Sequence, residues 1–567
     1  MKNIISVFLL FFSTAILANA QLSKFHWANS MGGTLMDEGN AIALDSNGNV
    51  YLTGWFQGNA QFGVGVKTIN LYALGESDVF VAKLDSYGNL LWVKQMGGSL
   101  NEGGYSIMTD PFCNIYIAGY FKGTVDFDPG LGEYNLTSAG NYDIFITKLD
   151  SLGDFIWAKQ MGGSSADQIS SLSLDKSGNI YAGGYFSGTS DFDPSSSIYN
   201  LTSSGNDSTF DAFITKLDPS GNFVWAKQMG GDSQDLLHSL TLDYLGNIYA
   251  IGSFKGTSDF NPGLDTFNLI SLDNRDVFVV KLDSFGNFEW AKQMGGTGRD
   301  IGYSIAADLL GNIYTTGSFV GSADFDPGPK NFNLSDDGLE GIFICKMNSQ
   351  GNFMWAKHMG GTDSDAGLSL VLDSDANIYT IGWFKGDVDF DPGEQSYVLS
   401  SAGREDVFIS KLDSSGLFLW AERMGGKYED IAFNIAVDGS GNIYSVGYYE
   451  GDGDFSLDKQ SSYNLTSAGS HDIFIKKYNP YVIIPSSSVF YTYPNPCSNF
   501  INLSFTKTFN HCTLCVYNML GQQAIKEEDF TGNYCTINTH FLPTGIYFVD
   551  VSDIMGLSYR SIFIKIQ

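Results

Sequence analysis

The sequence predicts an all-β chain whose main body is a seven-bladed β-propeller of four-stranded antiparallel blades. Three observations carry this. A phrase first met as Trp27-Ala28 and Met31-Gly32-Gly33 returns at Trp92, Trp157, Trp225, Trp290, Trp355 and Trp420, in steps of 65, 65, 68, 65, 65 and 65 residues. A period that regular is one supersecondary unit built seven times. Each period holds four short apolar segments parted by turn residues, which is the pattern of an antiparallel meander repeated radially. The two ends of the array also complement each other, as set out below.

The first unit shows the elements in order. Strand A is Asn40 to Asp45, and a Ser-Asn-Gly-Asn turn follows, with Gly48 supplying the positive φ of a hairpin. Strand B is Val50 to Phe56. A connection of about 20 residues leads to strand C, Asp78 to Asp85, and a second short turn at Gly88 delivers strand D, Leu90 to Lys94. Strand D occurs first at Phe25-His26-Trp27-Ala28, before any A, B or C. The last A (Asn434 to Val437), B (Asn442 to Tyr449) and C (Asp472 to Tyr478) have no D after them. The N-terminal strand is therefore expected to complete the last blade and remove an open sheet edge.

Most recurring residues read as construction parts. Gly54, Gly119, Gly184, Gly252, Gly317, Gly382 and Gly447 share one place in strand B, and mid-strand Gly implies a close neighbour, for which the strand D Trp is the candidate. Lys83, Lys148, Lys216, Lys281, Lys346, Lys411 and Lys476 recur near the end of strand C. A Lys within packed sheets needs a partner, and the acids that end strand A (Asp45, Asp110, Asp175, Asp243, Asp308, Asp373 and Asp438) lie at that end, so an ion pair is expected. Further acids recur four residues after Gly-Gly (Asp37, Glu102, Asp167, Asp235, Asp300, Asp365 and Asp430) and at the start of strand C (Asp78, Asp143, Asp211, Asp276, Asp406 and Asp472).

Alternating strand polarity puts the short A–B and C–D turns on one face and the D–A and B–C connections on the other. Binding concentrates on long loops over a rigid scaffold, so the D–A/B–C face is the expected functional surface. Its B–C loop holds the sharpest motif, Asp126-Phe127-Asp128-Pro129-Gly130. It returns at Asp191 and Asp193, at Asp259-Phe260-Asn261, at Asp324 and Asp326, and at Asp389 and Asp391. Paired carboxylates with loop carbonyls are hard oxygen ligands, so these acids are the candidate metal ligands, for Ca²⁺. The competing reading makes them turn formers that accept backbone N–H bonds, with Pro-Gly setting the bend and Phe as a core plug.

The net charge of -31, from 62 acids against 31 bases, argues against nucleic acid as a partner. No H-E-x-x-H or G-x-S-x-G motif is present, and the six His do not recur in register. Asp85 to Trp92 is similar to the sialidase Asp box, departing in spacing and lacking the leading Ser. Sialidases clamp a carboxylate with three Arg, and Arg275, Arg299 and Arg404 map to the loop face, yet no acid/nucleophile pair stands out. Of the six Cys, Cys497, Cys512, Cys515 and Cys535 cluster near the C-terminus, where one or two disulfides are open to an exported chain. A metal site at Cys512 and Cys515 is disfavoured, since i and i+3 in a strand point to opposite faces.

Residues 1–20 read as a signal peptide: Lys2, an apolar run from Ile4 to Leu17 that falls short of a ~20-residue membrane span, and Ala18-Asn19-Ala20 as the cleavage site. The mature chain then starts near Gln21, with no transmembrane helix. Residues 21–480 form the propeller, 481–489 a Ser-rich linker, and 490–567 a separate β domain.

Gly178 to Phe186, Asp211 to Asp218 and Trp225 to Gly231 carry G-N-I-Y-x-x-G-x-F, D-x-F-I-x-K-L-D and W-A-K-Q-M-G-G. These motifs resemble the SBBP (seven-bladed β-propeller) repeat family over about residues 25–480. The resemblance implies an exported or surface protein and transfers no catalytic residue. Tyr493-Pro494-Asn495-Pro496, Val516 to Gln522, Leu542 to Val549 and the strand Ile562 to Ile566 resemble the type A C-terminal sorting domain of the type IX secretion system. This second resemblance implies a small Ig-like β-sandwich, engagement of the type IX machinery, and delivery of a Bacteroidota-type protein to the medium or the outer-membrane surface. The combined reading is a secreted or cell-surface protein that binds an extracellular glycan or protein through its loop face. The alternatives are a sialidase-like glycan hydrolase on the same face and a structural surface-layer component.

Overall fold

The computed structural model describes residues 24–65, 67–205, 209–456, 462–479, 490–493, 497–518, 523–552 and 558–565. The signal-peptide and linker assignments lie outside these residues. The described chain is all β and divides into two compact units, one within Leu22–Pro480 and one within Tyr481–Gln567.

In the larger unit the strands pair as consecutive A–B–C–D antiparallel meanders. The first is Asp37–Leu44, Val50–Phe56, Asp78–Leu84 and Leu90–Gly98. The last is Asp430–Val437, Ile443–Asp454 and Asn464–Asn479, and its fourth strand is the N-terminal Lys24–Gly33, with Phe25 opposite Tyr478 and Met31 opposite Ile473. The expected pairing of the N-terminal strand with the last strand C is therefore present. The A strands of consecutive units pack side by side, and Asp430–Val437 packs on Asp37–Leu44 in the same way.

Hydrophobic cores lie between neighbouring units. Val79 and Val81 of the first unit pack with Ile107, Ile117 and Phe145 of the second. Tyr444, Val446, Ile473 and Ile475 of the last pack with Ile42, Leu52 and Phe80 of the first. Both faces of each sheet are thus covered, which is why the B and C strands are buried almost continuously instead of alternating.

The long B–C connection is not a free loop. It folds into a short outer hairpin, for example Thr124–Asp126 with Asn135–Thr137, and its first strand pairs with the Gly-Gly end of the preceding strand D, Gly97 opposite Asp126. Gly32 and Gly33 bind Gln61 and Ala60 likewise. Each unit thereby grips its predecessor with backbone hydrogen bonds.

Three sequence expectations need correction. The space above Gly54 is taken by the Glu38 carbonyl and the Phe80 ring of the same unit, not by Trp. The strand D Trp lies instead against the C–D turn of the next unit, with Trp27 Nε1 donating to the Ser86 carbonyl at 3.3 Å and its ring over Gly88. The recurrent Lys is not generally paired with the acid that ends strand A, because a strand B Tyr stands between them. The Tyr hydroxyl donates to that Asp at 3.0–3.4 Å in all seven units. The Lys lies over the Tyr ring at 4.4–5.2 Å, a cation–π contact. Among the described residues only Lys411 also reaches its Asp, Asp373, at 3.1 Å. In the last unit this role belongs to Lys477 and not to Lys476, whose ammonium is fully buried beside the Met424 sulfur.

The smaller unit is a five-stranded antiparallel sheet, in which Phe500–Asn518 pairs with Phe490–Tyr493, Gln523–Asn538 and Gly545–Ser552, and Ser558–Lys565 lies beyond. Its core gathers Ile501, Leu503, Leu514, Val516, Ile537, Val549 and Val551. Cys497 and Cys515 are free thiols there, and the Cys512 side chain lies outside the described ones.

Candidate functional site

Every A strand carries a β-bulge at one position. The ladder skips Asn40, Tyr105, Ser170, His238, Tyr303, Leu368 and Phe433 in the seven units. A bulge re-aims the extra side chain, and here all seven line a central cavity of about 360 Å³ bounded by the seven A strands. At its D–A/B–C end lies a second cavity of about 290 Å³, lined by Tyr105, Gln168, Tyr185, His238, Tyr303 and Phe433 among others.

From each bulge a row of side chains runs outward over the face, through a residue near the end of strand B to one just before the Asp position of strand C. In the second unit the row is Tyr105, Tyr120 and Tyr142, with ring centroids 5.5 and 4.9 Å apart. In the seventh it is Phe433, Tyr448 and His471, at 5.6 and 4.2 Å. The third places Tyr185 5.2 Å from Phe210, and the Tyr185 hydroxyl donates to Gln168 Oε1 at 2.5 Å. The fourth is His238, Ser253 and Arg275, with Arg275 Nη1 donating to Ser253 Oγ at 3.4 Å and Nη2 to Gln234. The fifth is Tyr303, Ser318 and Glu340, where Ser318 Oγ donates to Glu340 at 2.5 Å. Trp55 and Trp383 hold the middle positions in the first and sixth.

These rows vary from unit to unit while the scaffold repeats. Framework positions such as the strand B Gly and the strand C Phe return unchanged, so the fold itself demands little of the row residues. Their aromatic content is a property of the surface they make. Sequence reasoning passed over all of them but Arg275 because they do not recur; lack of recurrence within a strict repeat was the available signal.

His238 is the sharpest member. Burial, reinforced by the Arg275 guanidinium, pushes its imidazole down to about 4, so it is neutral near pH 7. Its Nε2 is shielded from solvent and bonded to nothing, and the ring lies 5.5 Å from Tyr303. Across the mouth, burial pushes Glu38 up to about 7; the Trp55 indole pulls it down and the Glu429 carboxylate adds to the rise.

In the outer hairpins the candidate Ca²⁺ ligands accept backbone N–H groups. Asp126 Oδ1 accepts the N–H groups of Asp128 and Tyr134 at 3.0 and 2.8 Å, and Asp128 Oδ1 accepts that of Gly130 at 2.8 Å. Asp191 and Asp193, Asp324 and Asp326, and Asp389 and Asp391 repeat the arrangement, with Phe127, Phe192, Phe325 and Phe390 fully buried. Among the described residues no three His, Cys, Asp or Glu side chains converge as metal ligands. Nor do the three Arg form a clamp: Arg275 is bound to Gln234 and Ser253, Arg299 to Glu340 at 3.2 Å, and Arg404 is exposed. A larger cavity of about 510 Å³ lies at the A–B and C–D turns, but its Asp175, Asp243 and Asp308 are taken up by turn and Tyr hydrogen bonds.

Repeated four-stranded units with their variable side chains collected over one end of a central cavity define a propeller-repeat protein. Residues 32–59, 156–192 and 289–318 match the beta-propeller repeat, and residues 491–565 match the secretion system C-terminal sorting domain. The chain thus carries SBBP repeats and a type IX sorting domain, and it is exported by type IX secretion to the cell surface or the medium. Among the described residues no helix is long and apolar enough to cross a membrane. Similar curated proteins are an uncharacterized WD repeat-containing protein, L264, of Acanthamoeba polyphaga mimivirus (24% identical, 80% of this chain and 38% of the relative) and the regulatory protein FlaEY of Caulobacter vibrioides (22%, 70% and 42%). The chain therefore spans about two fifths of each relative's length. Among solved structures, the extracellular domain of the putative one component system BT4673 from B. thetaiotaomicron is 11% identical, with 95% of this chain and 99% of that one covered, at a TM-score of 0.16, too low to indicate a shared overall fold.

Proposed function

We propose that residues 21–480 form a seven-bladed propeller closed by the N-terminal strand, and that the exported protein binds an extracellular glycan at the channel mouth on the D–A/B–C face. The C-terminal residues 490–567, which we read as an Ig-like domain after a linker at 481–489, serve export and not binding. The observation that carries the reading is the unbonded, buried Nε2 of His238 in a cavity walled by Tyr105, Tyr185 and Tyr303. Aromatic faces stack on sugar rings, while a recessed polar atom needs a hydroxyl to satisfy it. At about 290 Å³ the cavity sits at the small end of ligand pockets, suited to a terminal sugar. Screening the mature protein against a glycan array, beside Tyr105→Ala and His238→Ala, tests this.

A second reading, a glycan hydrolase, is favoured by Glu38 alone, a carboxyl held near 7 at the mouth with Glu429 beside it. That is the environment of a general acid. Turnover of chromogenic glycosides that is lost in Glu38→Gln would support it; turnover unaffected by that change would remove it.

A further inference from the structure

The junctions between consecutive units share an anomaly. At six of the seven, the acid that opens one unit's strand A lies near the acid that opens strand C of the preceding unit, across the first Gly of Met-Gly-Gly. A Cβ on Gly230 would sit 2.8 Å from Asp211 Oδ1 and 2.9 Å from Asp235 Oδ2, so the two carboxylates converge on one spot. Gly32 (Asp472 with Asp37), Gly162 (Asp143 with Asp167), Gly295 (Asp276 with Asp300) and Gly425 (Asp406 with Asp430) repeat this. Glu102 takes the strand A role opposite Asp78.

At six junctions one oxygen of the pair is buried and bonded to nothing: Glu102 Oε1 and Oδ1 of Asp143, Asp211, Asp276, Asp406 and Asp472. These side chains are 0–3% exposed. A buried unsatisfied carboxylate oxygen facing a second carboxylate is costly, and six of them in register call for a missing partner.

The surroundings decide what that partner is. The remaining oxygen of Asp211, Oδ2, accepts Ser204 N–H at 3.0 Å and Gln228 Nε2–H at 2.7 Å, while Asp235 Oδ2 accepts Gly231 N–H and Asp235 Oδ1 the Ser258 hydroxyl, both at 2.7 Å. Hydrogen-bond donors line the site, whereas Ca²⁺ needs six to eight oxygens. A proton needs no coordination shell. We propose that at each of these six junctions the two carboxyl groups share one proton, and that this O–H···O bond joins neighbouring units. The pair takes up one H⁺ from solvent, and the protonated carboxyl donates it to the facing oxygen. Raising the pH returns the proton to water and leaves two negative charges buried side by side.

The seventh junction supports the rule by departing from it. Gly341 replaces the strand C acid, Asp336 supplies a carboxylate from the outer hairpin, and His358 Nε2 stands 3.0 Å from its Oδ1, leaving no orphan. Other charges near the pairs are few. Asp232 and Arg275 face Asp211 and Asp235, Glu340 faces Asp300, Asp363 faces Asp365, and Gln95, Gln160, Gln228 and Gln293 are neutral donors. Among the described residues only Asp406 has a cation in contact, Arg423 at 2.6 Å, with Glu405 and Glu450 beyond. Burial raises every member: Asp37, Asp167, Asp235 and Asp276 to about 7, Glu102 and Asp430 to about 8, Asp211, Asp300, Asp406 and Asp472 to about 6, and Asp78 and Asp143 upward.

The test is thermal and denaturant unfolding of the mature chain from about pH 5 to about pH 9, with Asp143→Asn, Asp211→Asn and Asp276→Asn beside it. An amide N–H fills the proton's place without titrating. Stability of the wild type should fall as pH rises, each Asn variant should remove about one proton from that slope, and above about pH 8 the variants should melt at or above the wild-type temperature. A flat wild-type profile, variants weaker than wild type at high pH, or stabilisation by Ca²⁺ or Mg²⁺ that the Asn changes abolish would overturn the proposal. Infrared spectra of the wild type give an arm independent of variant folding: a protonated-carboxyl C=O band at neutral pH that fades on alkalinisation is expected, and its absence refutes the shared proton.

Discussion

The backbone N–H of Ile42, in the first unit, donates to Asn434 Oδ1 in the seventh across 3.2 Å. It has the place of the bonds Leu172 N–H to Ser106 Oγ, Leu240 N–H to Ser171 Oγ and Leu370 N–H to Ser304 Oγ at other junctions, at 3.1–3.2 Å. At these four junctions the residue after the bulge ties one A strand to the next, and the last-to-first junction uses the same device as three internal ones.

That equivalence is measurable. Asn434→Ala and Ser171→Ala each strand a backbone N–H and should each cost about 1–3 kcal/mol in chemical denaturation. A closing junction that costs nothing while Ser171→Ala does would mean an open array.

The N-terminal strand should be indispensable to the same unit. Trp27→Ala removes a ring packed on the Gly88 turn and should cost about 3 kcal/mol or more. Deleting residues 24–33 should cost more still, since an edge opens and the buried Ala28 and Met31 are lost. An unchanged melting transition would contradict the pairing with Asn464–Asn479.

The aspartate motif of the outer hairpins should behave as a turn. Asp126→Ala loses two backbone N–H bonds and should destabilise by about 1 kcal/mol, while millimolar Ca²⁺ and EGTA leave the melting temperature unchanged. A rise of several degrees with Ca²⁺, lost in Asp128→Asn, would restore the metal reading.

Glu38 gives a pH signature of its own. Its carboxyl ionises near 4.5 when unfolded and near 7 when folded, so both states are protonated below about pH 4.5. Between the two values the unfolded chain sheds its proton while the folded one keeps it, so stability falls as pH rises through this window. Glu38→Gln should flatten that part of the profile; an unaltered slope would show that Glu38 is not held protonated.

Residues 21–480 expressed alone should fold with a cooperative melt, and loss of the segment from Tyr493 should abolish surface delivery only. An insoluble 21–480 fragment would move the boundary.

Much of the architecture was legible because backbone pattern repeats. The Trp and Met-Gly-Gly period, the strand meanders and the missing D strand after Tyr478 all leave marks in spacing. The outer hairpins did not, since strands as short as Thr124–Asp126 are held by pairing with a neighbour's Gly-Gly end and not by their own propensity. The Lys–Asp expectation failed because proximity along a strand end does not reveal that Tyr51 and its equivalents stand between. The mouth escaped because Tyr105, His238 and Phe433 share a place in the fold but no chemistry, and the acid pairs because each partner comes from a different unit.

Binding at the cavity mouth on the D–A/B–C face tests the glycan assignment most directly. The mature protein should bind at least one class of glycan on an array. Tyr105→Ala and His238→Ala should weaken it at least about tenfold, near 1.4 kcal/mol, with folding intact, whereas Asp126→Ala on the outer rim should leave it unchanged. Glycan binding that survives both mouth variants, or a wild type that binds no glycan at all, would contradict it.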